Sequence, residues 1–289
     1  MKYAYYPGCS LHSTGIEYDM SSQLVAGKLG VELKEIPDWN CCGASAGHTT
    51  NHLLGLALPA RNLAIAEKEG LDVMAPCASC YNRMKTSEVA VKSSQETKAR
   101  VAEVTEMEYE GKVGVKSALE VFVKDAGLDT IKSLTVKNLG GMKIAAYYGC
   151  LLVRPVGIGF DDPENPMTMD DMVTALGGEA VDWPFKTECC GASLPTAREK
   201  VGLKLVYDIL TIAQSVGAEA VVTACPLCFM NLDMRQNDLN KKVDNANFHL
   251  PIFYFTELMA IAFGEKPAKA GVGKHFVDTS SVLAKYNLK

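Results

Sequence analysis

Cys41-Cys42-Gly43-Ala44-Ser45 recurs as Cys189-Cys190-Gly191-Ala192-Ser193, and Cys77-Ala78-Ser79-Cys80 recurs as Cys225-Pro226-Leu227-Cys228. Both pairs of segments are offset by 148 residues. Ahead of each CC pair lies a lone cysteine, Cys9 or Cys150, offset by 141, so the second copy carries seven more residues between its lone cysteine and its CC pair. These two sets of five account for all 10 cysteines. The flanks repeat as well: Tyr5-Tyr6-Pro7-Gly8-Cys9 echoes Tyr147-Tyr148-Gly149-Cys150, and each CxxC follows an apolar run, Leu71–Ala75 or Ala220–Ala224. A repeat this long is a duplicated domain; solenoid units are roughly 20–50 residues.

The strands and helices expected around these motifs alternate. Tyr3–Tyr6, Val31–Ile36 and Val73–Ala75 read as strands in the first half, and Lys143–Tyr148, Ala180–Trp183, Ala220–Thr223 and Ile252–Phe255 in the second. Between them, helices are expected over Glu17–Leu29, His52–Glu69 (with a kink or break at Pro59), Met169–Leu176 and Ala197–Val216. A helix starting at Cys77 is expected to run to about Glu108, and another to cover Val115–Ala126. This alternation predicts an α/β protein of two pseudo-symmetric, Rossmann-like domains with mostly parallel sheets. The expected division is 1–110, a bridge over 111–142, a second domain over 143–263, and an extended arm over 264–289. Cys9, Cys77, Cys150 and Cys225 each follow an expected strand, which gathers them at the carboxyl edge where such sheets bind ligands. The N–H groups of a helix start there favour thiolate charge.

Composition narrows the function. Apolar residues make up 48% of the 289, charged residues 22%, and the net charge is −5, with no basic tract, so nucleic acid is not an expected partner. No stretch of about 18 residues is apolar and uncharged enough to span a bilayer, and the first residues do not read as a secretory signal. The expected setting is a reducing cytoplasm, where clustered cysteines bind metal more often than they pair.

Five cysteines per set are one more than a tetrahedral zinc or a cubane needs. Adjacent side chains such as Cys41 and Cys42 do not easily reach one small ion, but they can reach different irons of a larger cluster. Vicinal disulfides would be strained. The spacing therefore favours a multi-iron centre.

The pattern resembles the CCG domain, a cysteine-rich module of the heterodisulfide reductase family, and two intact copies resemble the B subunits of that family in methanogenic archaea. The resemblance covers nearly the whole chain. One departure is the interval of 34 residues between Cys42 and Cys77 and between Cys190 and Cys225, about one fewer than the family pattern; its presence in both copies marks a loop-length variant. The resemblance implies two non-cubane [4Fe–4S] clusters, one on Cys9, Cys41, Cys42, Cys77 and Cys80, the other on Cys150, Cys189, Cys190, Cys225 and Cys228. It implies reduction of the coenzyme M–coenzyme B disulfide to two thiols between them. It further implies a small ferredoxin-like partner of the heterodisulfide reductase complex, a flavin-containing partner, and a hydrogenase or formate dehydrogenase upstream. Lys266, Lys269 and Lys274 make the arm a candidate docking element.

An anionic disulfide calls for cations, and Arg154 and Arg198 are the candidates; histidine is suited to proton donation near neutral pH, which singles out His12 and His48. Trp39 and Trp183, ahead of the CC pairs, are candidates for shielding the centres. Two other functions fit the same motifs: an electron-transfer subunit of a lactate-, glycolate- or succinate-type oxidoreductase, and a non-enzymatic metal scaffold or redox sensor.

Overall fold

The computed structural model covers residues 1–289. Its first half runs β1 (Lys2–Tyr5), α1 (Gly8–Leu11), α2 (Ile16–Leu29), β2 (Glu32–Glu35), α3 (Gly47–Thr50), α4 (His52–Lys68), β3 (Val73–Ala75), α5 (Ala78–Ser93), α6 (Gln95–Thr105) and β4 (Val115–Ser117). A π-helical turn, Glu120–Asp125, and α7 (Leu128–Leu134) lead into the second half. There follow β5 (Lys143–Tyr147), α8 (Thr168–Ala175), β6 (Glu179–Ala180), α9 (Leu194–Ala197), α10 (Glu199–Ser215), β7 (Ala220–Thr223), α11 (Pro226–Lys242), β8 (Ile252–Tyr254), α12 (Phe255–Ala262), a 3-10 turn at Val272–Lys274 and α13 (Ser280–Lys285).

Each half holds a four-stranded, all-parallel sheet, ordered β2-β1-β3-β4 and β6-β5-β7-β8. The central strands are buried beyond the lysines that open β1 and β5, as parallel strands covered on both faces must be; Ile144–Tyr147 and Ala220–Thr223 are buried. The outer strands β2 and β6 carry Glu32, Lys34, Glu35 and Glu179, charges that discourage further edge pairing. Local signals set the helix limits. Gly30, left-handed at φ 66°, ends α2 by donating its N–H to Ala26 and Gly27 carbonyls, and Asn51 caps α4 by accepting from Leu54 N.

Four expectations differ from the structure. The helix after Cys77 stops at Ser93, because extended Ser94 caps a new helix by accepting from Thr97 N. Val115–Ser117 is a strand, registered Val73↔Val115 and Ala75↔Ser117, so the first sheet reaches past residue 110 into the stretch expected to be a bridge. α4 is not broken at Pro59 but continues to Lys68, packed on α5 and α6. Residues 264–289 are folded back on the body instead of extending from it. Ala270, Val272, Leu283 and Leu288 are buried, and Phe276 N and Val277 N donate to Asp233 at 2.7 and 3.1 Å.

The halves meet through α2 and α12. Tyr18 stacks on Tyr254 with ring centroids 4.2 Å apart, Tyr254 on Phe229 at 4.3 Å, and Ser21 Oγ lies 2.6 Å from Thr256 Oγ1.

Candidate metal centres

In both sheets the chain leaves the two parallel central strands toward opposite edges, and this switch point is where the cysteines gather. β1 runs into Cys9, β3 into Cys77, β5 into Cys150 and β7 into Cys225. Cys77 and Cys225 are the N-cap residues of α5 and α11, which puts Cys80 and Cys228 in the first turn among unpaired backbone N–H groups. Each set has a wet lip and a buried floor. Cys9, Cys41 and Cys189 are exposed and Cys150 half-buried, whereas Cys42, Cys77, Cys80, Cys190, Cys225 and Cys228 are buried.

Sulfurs approach one another closely in both sets: Cys42 to Cys80 at 3.3 Å, Cys190 to Cys228 at 3.5 Å. Crowded thiols titrate against each other. Hydrogen bonds from Cys41 and Cys80 pull the Cys42 thiol down, and the same bond pushes Cys80 up; Cys228 likewise lowers Cys190 and is itself raised. The two sets approach each other. The buried Tyr18 hydroxyl lies 3.2 Å from Pro76 O and 3.3 Å from Ala224 O, the carbonyls preceding Cys77 and Cys225. Cys228 first, and then Cys77, hold the Cys225 thiol down, and Cys225 pushes Cys77 up.

Two pairs of supporting residues obey the pseudo-symmetry. Tyr6 Oη donates to Asn40 O at 2.8 Å and Tyr147 Oη to Glu188 O at 2.6 Å, so each strand-end tyrosine anchors the residue before a CC pair. Burial first, and then the nearby thiols, push both phenols upward and keep them neutral donors. Gly8 and Gly149 sit at φ 61° and 65°, where a Cβ would come within 3.2 Å of Cys80 Sγ and 3.1 Å of Cys228 Sγ. These contacts cross between strand ends and loops, so the repeated Tyr and Gly were visible in the sequence but their task was not.

The donor set fits an iron–sulfur cofactor. Both cradles are all-thiol, their glycines keep the backbone clear of the sulfurs, and helix N-termini supply N–H groups. No three His, Cys, Asp or Glu side chains converge as the ligands of one ion do.

The other candidates fall into place less evenly. His12 caps the C-terminus of α1, exposed, its Nε2 3.6 Å from Glu35 Oε1 and its ring edge-on to Trp39 at 5.6 Å. His48, on α3, sets Nδ1 3.5 Å from Gly43 O in the first CCG loop. Arg154 is engaged with its own surroundings, donating to Pro163 O, Glu164 Oε1 and Thr187 Oγ1 at 2.9–3.1 Å. Arg198 is exposed at the junction of α9 and α10. Trp183 is buried and donates to Ala146 O at 3.0 Å, whereas Trp39 is half-buried beside His12.

The cysteine-rich CCG domain matches twice, at residues 3–85 and 144–233. The chain belongs to the CCG family of cysteine-rich domains. This CCG protein is 31% identical, over 97% of its length and 99% of the relative's, to the 8-methylmenaquinol:fumarate reductase membrane anchor subunit of Wolinella succinogenes. It is 27% identical to the B subunit of the ferredoxin/F420H2-dependent CoB-CoM heterodisulfide reductase of Methanosarcina acetivorans, over 98% and 96% of the two chains. It is 29% identical to a protein of Archaeoglobus profundus described as like the heterodisulfide reductase B subunit, over 94% of each. Among solved structures, a hypothetical protein from Helicobacter pylori shares the fold, with a TM-score of 0.77 at 15% identity over 96% of this chain and 52% of that one. No helix of the CCG protein is long and apolar enough to cross a membrane.

Proposed function

We propose that this chain is the disulfide-reducing subunit of a multi-subunit iron–sulfur oxidoreductase, with the coenzyme M–coenzyme B disulfide as substrate. Cys9, Cys41, Cys42, Cys77 and Cys80 would hold one non-cubane [4Fe–4S] cluster, and Cys150, Cys189, Cys190, Cys225 and Cys228 the other. When bound, the two clusters supply one-electron carriers in a pair, which is what a two-electron disulfide cleavage requires. The observation that supports this reading best is the buried Tyr18 hydroxyl, 3.2 Å from Pro76 O and 3.3 Å from Ala224 O, which ties the residues preceding Cys77 and Cys225 to one interface.

The chain's own residues would do the remaining work. The exposed lips at Cys9, Cys41 and Cys189 admit a small molecule from solvent while the floors stay dry. His12, beside Trp39 and Glu35, and His48, beside the first CCG loop, would give a proton to a departing thiolate. Arg198, which is exposed, would be the cation for an anionic substrate, since Arg154 is already engaged with Pro163, Glu164 and Thr187. Electrons would come through a small ferredoxin-like partner and a flavin-containing partner, fed by a hydrogenase or formate dehydrogenase in the cytoplasm. The test is anaerobic oxidation of reduced viologen by iron-loaded protein with and without that disulfide. Disulfide-dependent oxidation supports the reading; none, with both clusters intact and the ferredoxin-like partner added, sinks it.

A second reading is favoured by the 31% identity to a fumarate reductase subunit over nearly the full length. There the chain would relay electrons between a quinol and another protein of its complex. Electron transfer from a reduced quinol analogue to fumarate, in the assembled complex and without any disulfide, would select it.

A further inference from the structure

The two thiol sets differ in what reaches their sulfurs. Asn231, on α11 three residues past Cys228, is wholly buried. Its Nδ2 lies 3.2 Å from Cys190 O, 2.8 Å from Ala192 O and 3.5 Å from Cys190 Sγ. Three acceptors around one nitrogen fix the amide's orientation, since the reverse would set Oδ1 against two carbonyls and a thiol sulfur. In this orientation Oδ1 has no hydrogen-bond partner, a standing cost for a buried acceptor. What this side chain contributes therefore comes from its N–H groups.

The first set has no such donor. At the equivalent offset stands Arg83, partly buried, whose Nη2 donates to Asn82 Oδ1 at 2.8 Å. The first CC loop is gripped instead by Asn62 on α4, which accepts from Asn40 N and donates to Asn40 O, both at 2.9 Å and away from the sulfurs. The loop backbone donors match: Gly43 N lies 3.5 Å from Cys41 Sγ, and Gly191 N lies 3.3 Å from Cys189 Sγ. The side-chain amide is the difference.

We infer that Asn231 is a positioning residue that raises the reduction potential of the centre on the second cysteine set, through an N–H to the Cys190 sulfur that the first set lacks. This rests on the two-cluster reading. A hydrogen bond to a ligating sulfur draws off negative charge and so favours the reduced, more negative state. Burial works the other way, and the second set is the drier one, Cys150 being half-buried where Cys9 is exposed. Asn231 offsets that burial and keeps the paired centres close in potential, as delivery of two electrons to one bond requires.

The test is an anaerobic potentiometric titration followed by electron paramagnetic resonance on the iron-loaded chain. The proteins compared are wild type, Asn231→Leu (similar volume, no donor), Asn231→Asp (same shape, added negative charge) and Cys150→Ser, whose missing signals identify the second centre. The second centre's midpoint should fall in both Asn231 variants, further in Asn231→Asp, with the first centre unmoved. Unchanged midpoints at full iron content, equal movement of both centres, or loss of the second centre's iron in both variants would overturn the inference. Iron and sulfide analysis of wild type, done first, tests the two-cluster reading separately; iron sufficient for one cluster only would defeat that reading before Asn231 is varied.

Discussion

The two halves of this protein share a cradle and differ in everything that frames it. Both place a positive-φ glycine against a buried sulfur and a tyrosine hydroxyl on the residue before the CC pair. Those shared parts are what an all-thiol centre demands of its backbone. The frames diverge. The first half opens to solvent past Cys9, with His12, Trp39 and Glu35 grouped at the surface. The second buries its tryptophan and sets an ion pair with a tyrosine donor behind its loop: Lys186 Nζ lies 2.9 Å from Asp170 Oδ1, and Tyr148 Oη donates to Asp170 Oδ2 at 2.7 Å. It also lays the loop after Cys150 over the first half, where Tyr81 Oη donates to Ile158 O at 2.7 Å and Asn82 Nδ2 to Arg154 O at 2.7 Å. The two copies keep the same thiol cradle while their surroundings differ, an asymmetry that would suit the proposed substrate with its two unlike ends.

The comparison can be broken most forcefully at the shared cysteines. Cys9→Ser and Cys150→Ser should each remove about half of the bound iron, since the two sets share no ligand, and each should abolish disulfide-dependent turnover. Full activity in either variant would end the two-centre scheme. Asp170→Ala comes next, because it leaves Lys186, 3% exposed, without its carboxylate and with only Pro166 O and the Met167 sulfur as acceptors. Breaking a buried pair this way costs about 3–5 kcal/mol, and the first half has no counterpart to soften it. Chemical denaturation would measure it, and a loss below about 1 kcal/mol would show that Lys186 finds another partner. Gly8→Ala and Gly149→Ala should behave alike, each costing about 1–2 kcal/mol from the left-handed backbone and lowering iron occupancy of its own set. Unequal effects would mean the cradles are less alike than their geometry suggests.

Much of this organisation was legible in the chain. The cysteine offsets carried the duplication, and the apolar runs before Cys77 and Cys225 carried the strands that deliver them. What escaped has physical causes. Val115-Lys116-Ser117 is too short for its alternation to stand out, and only pairing with β3 makes it a strand. Ser94 held a readable cap signal, with Thr97 three residues on, but the polar run on both sides masked it. The last segment is rich in Gly, Lys and Pro, and its buried residues Val272, Val277 and Leu283 are too irregularly spaced to announce a packed strap. Tyr18 and Asn231 act across tens to hundreds of residues of sequence, where local pattern carries no information.

Two smaller effects sharpen the comparison at the seam between the halves. Tyr18→Phe keeps the stack on Tyr254 and removes the hydroxyl shared by Pro76 O and Ala224 O, for an expected loss of about 1 kcal/mol in thermal or denaturant stability. The strap should respond to pH. Burial pulls the His275 imidazole down, but Glu257, 2.8 Å from Nε2, together with Asp233 and Glu17, raises it above its ordinary 6.5; burial raises Glu257 as well. Both shifts make the folded state bind more protons than the unfolded one, so this contribution is present below pH 6.5 and fades as pH rises through the folded His275 value. Melting temperature should therefore decline from near neutral to mildly alkaline pH, with a shallower slope in His275→Gln. Equal slopes would remove the strap from the account.

The central claim is that two like centres meet at one interface to cleave a disulfide, and viologen oxidation by the iron-loaded chain tests it most directly. The account predicts oxidation that depends on the coenzyme M–coenzyme B disulfide and disappears in both Cys9→Ser and Cys150→Ser. Oxidation that persists in either variant, or none in wild type with both clusters and the ferredoxin-like partner present, would contradict it.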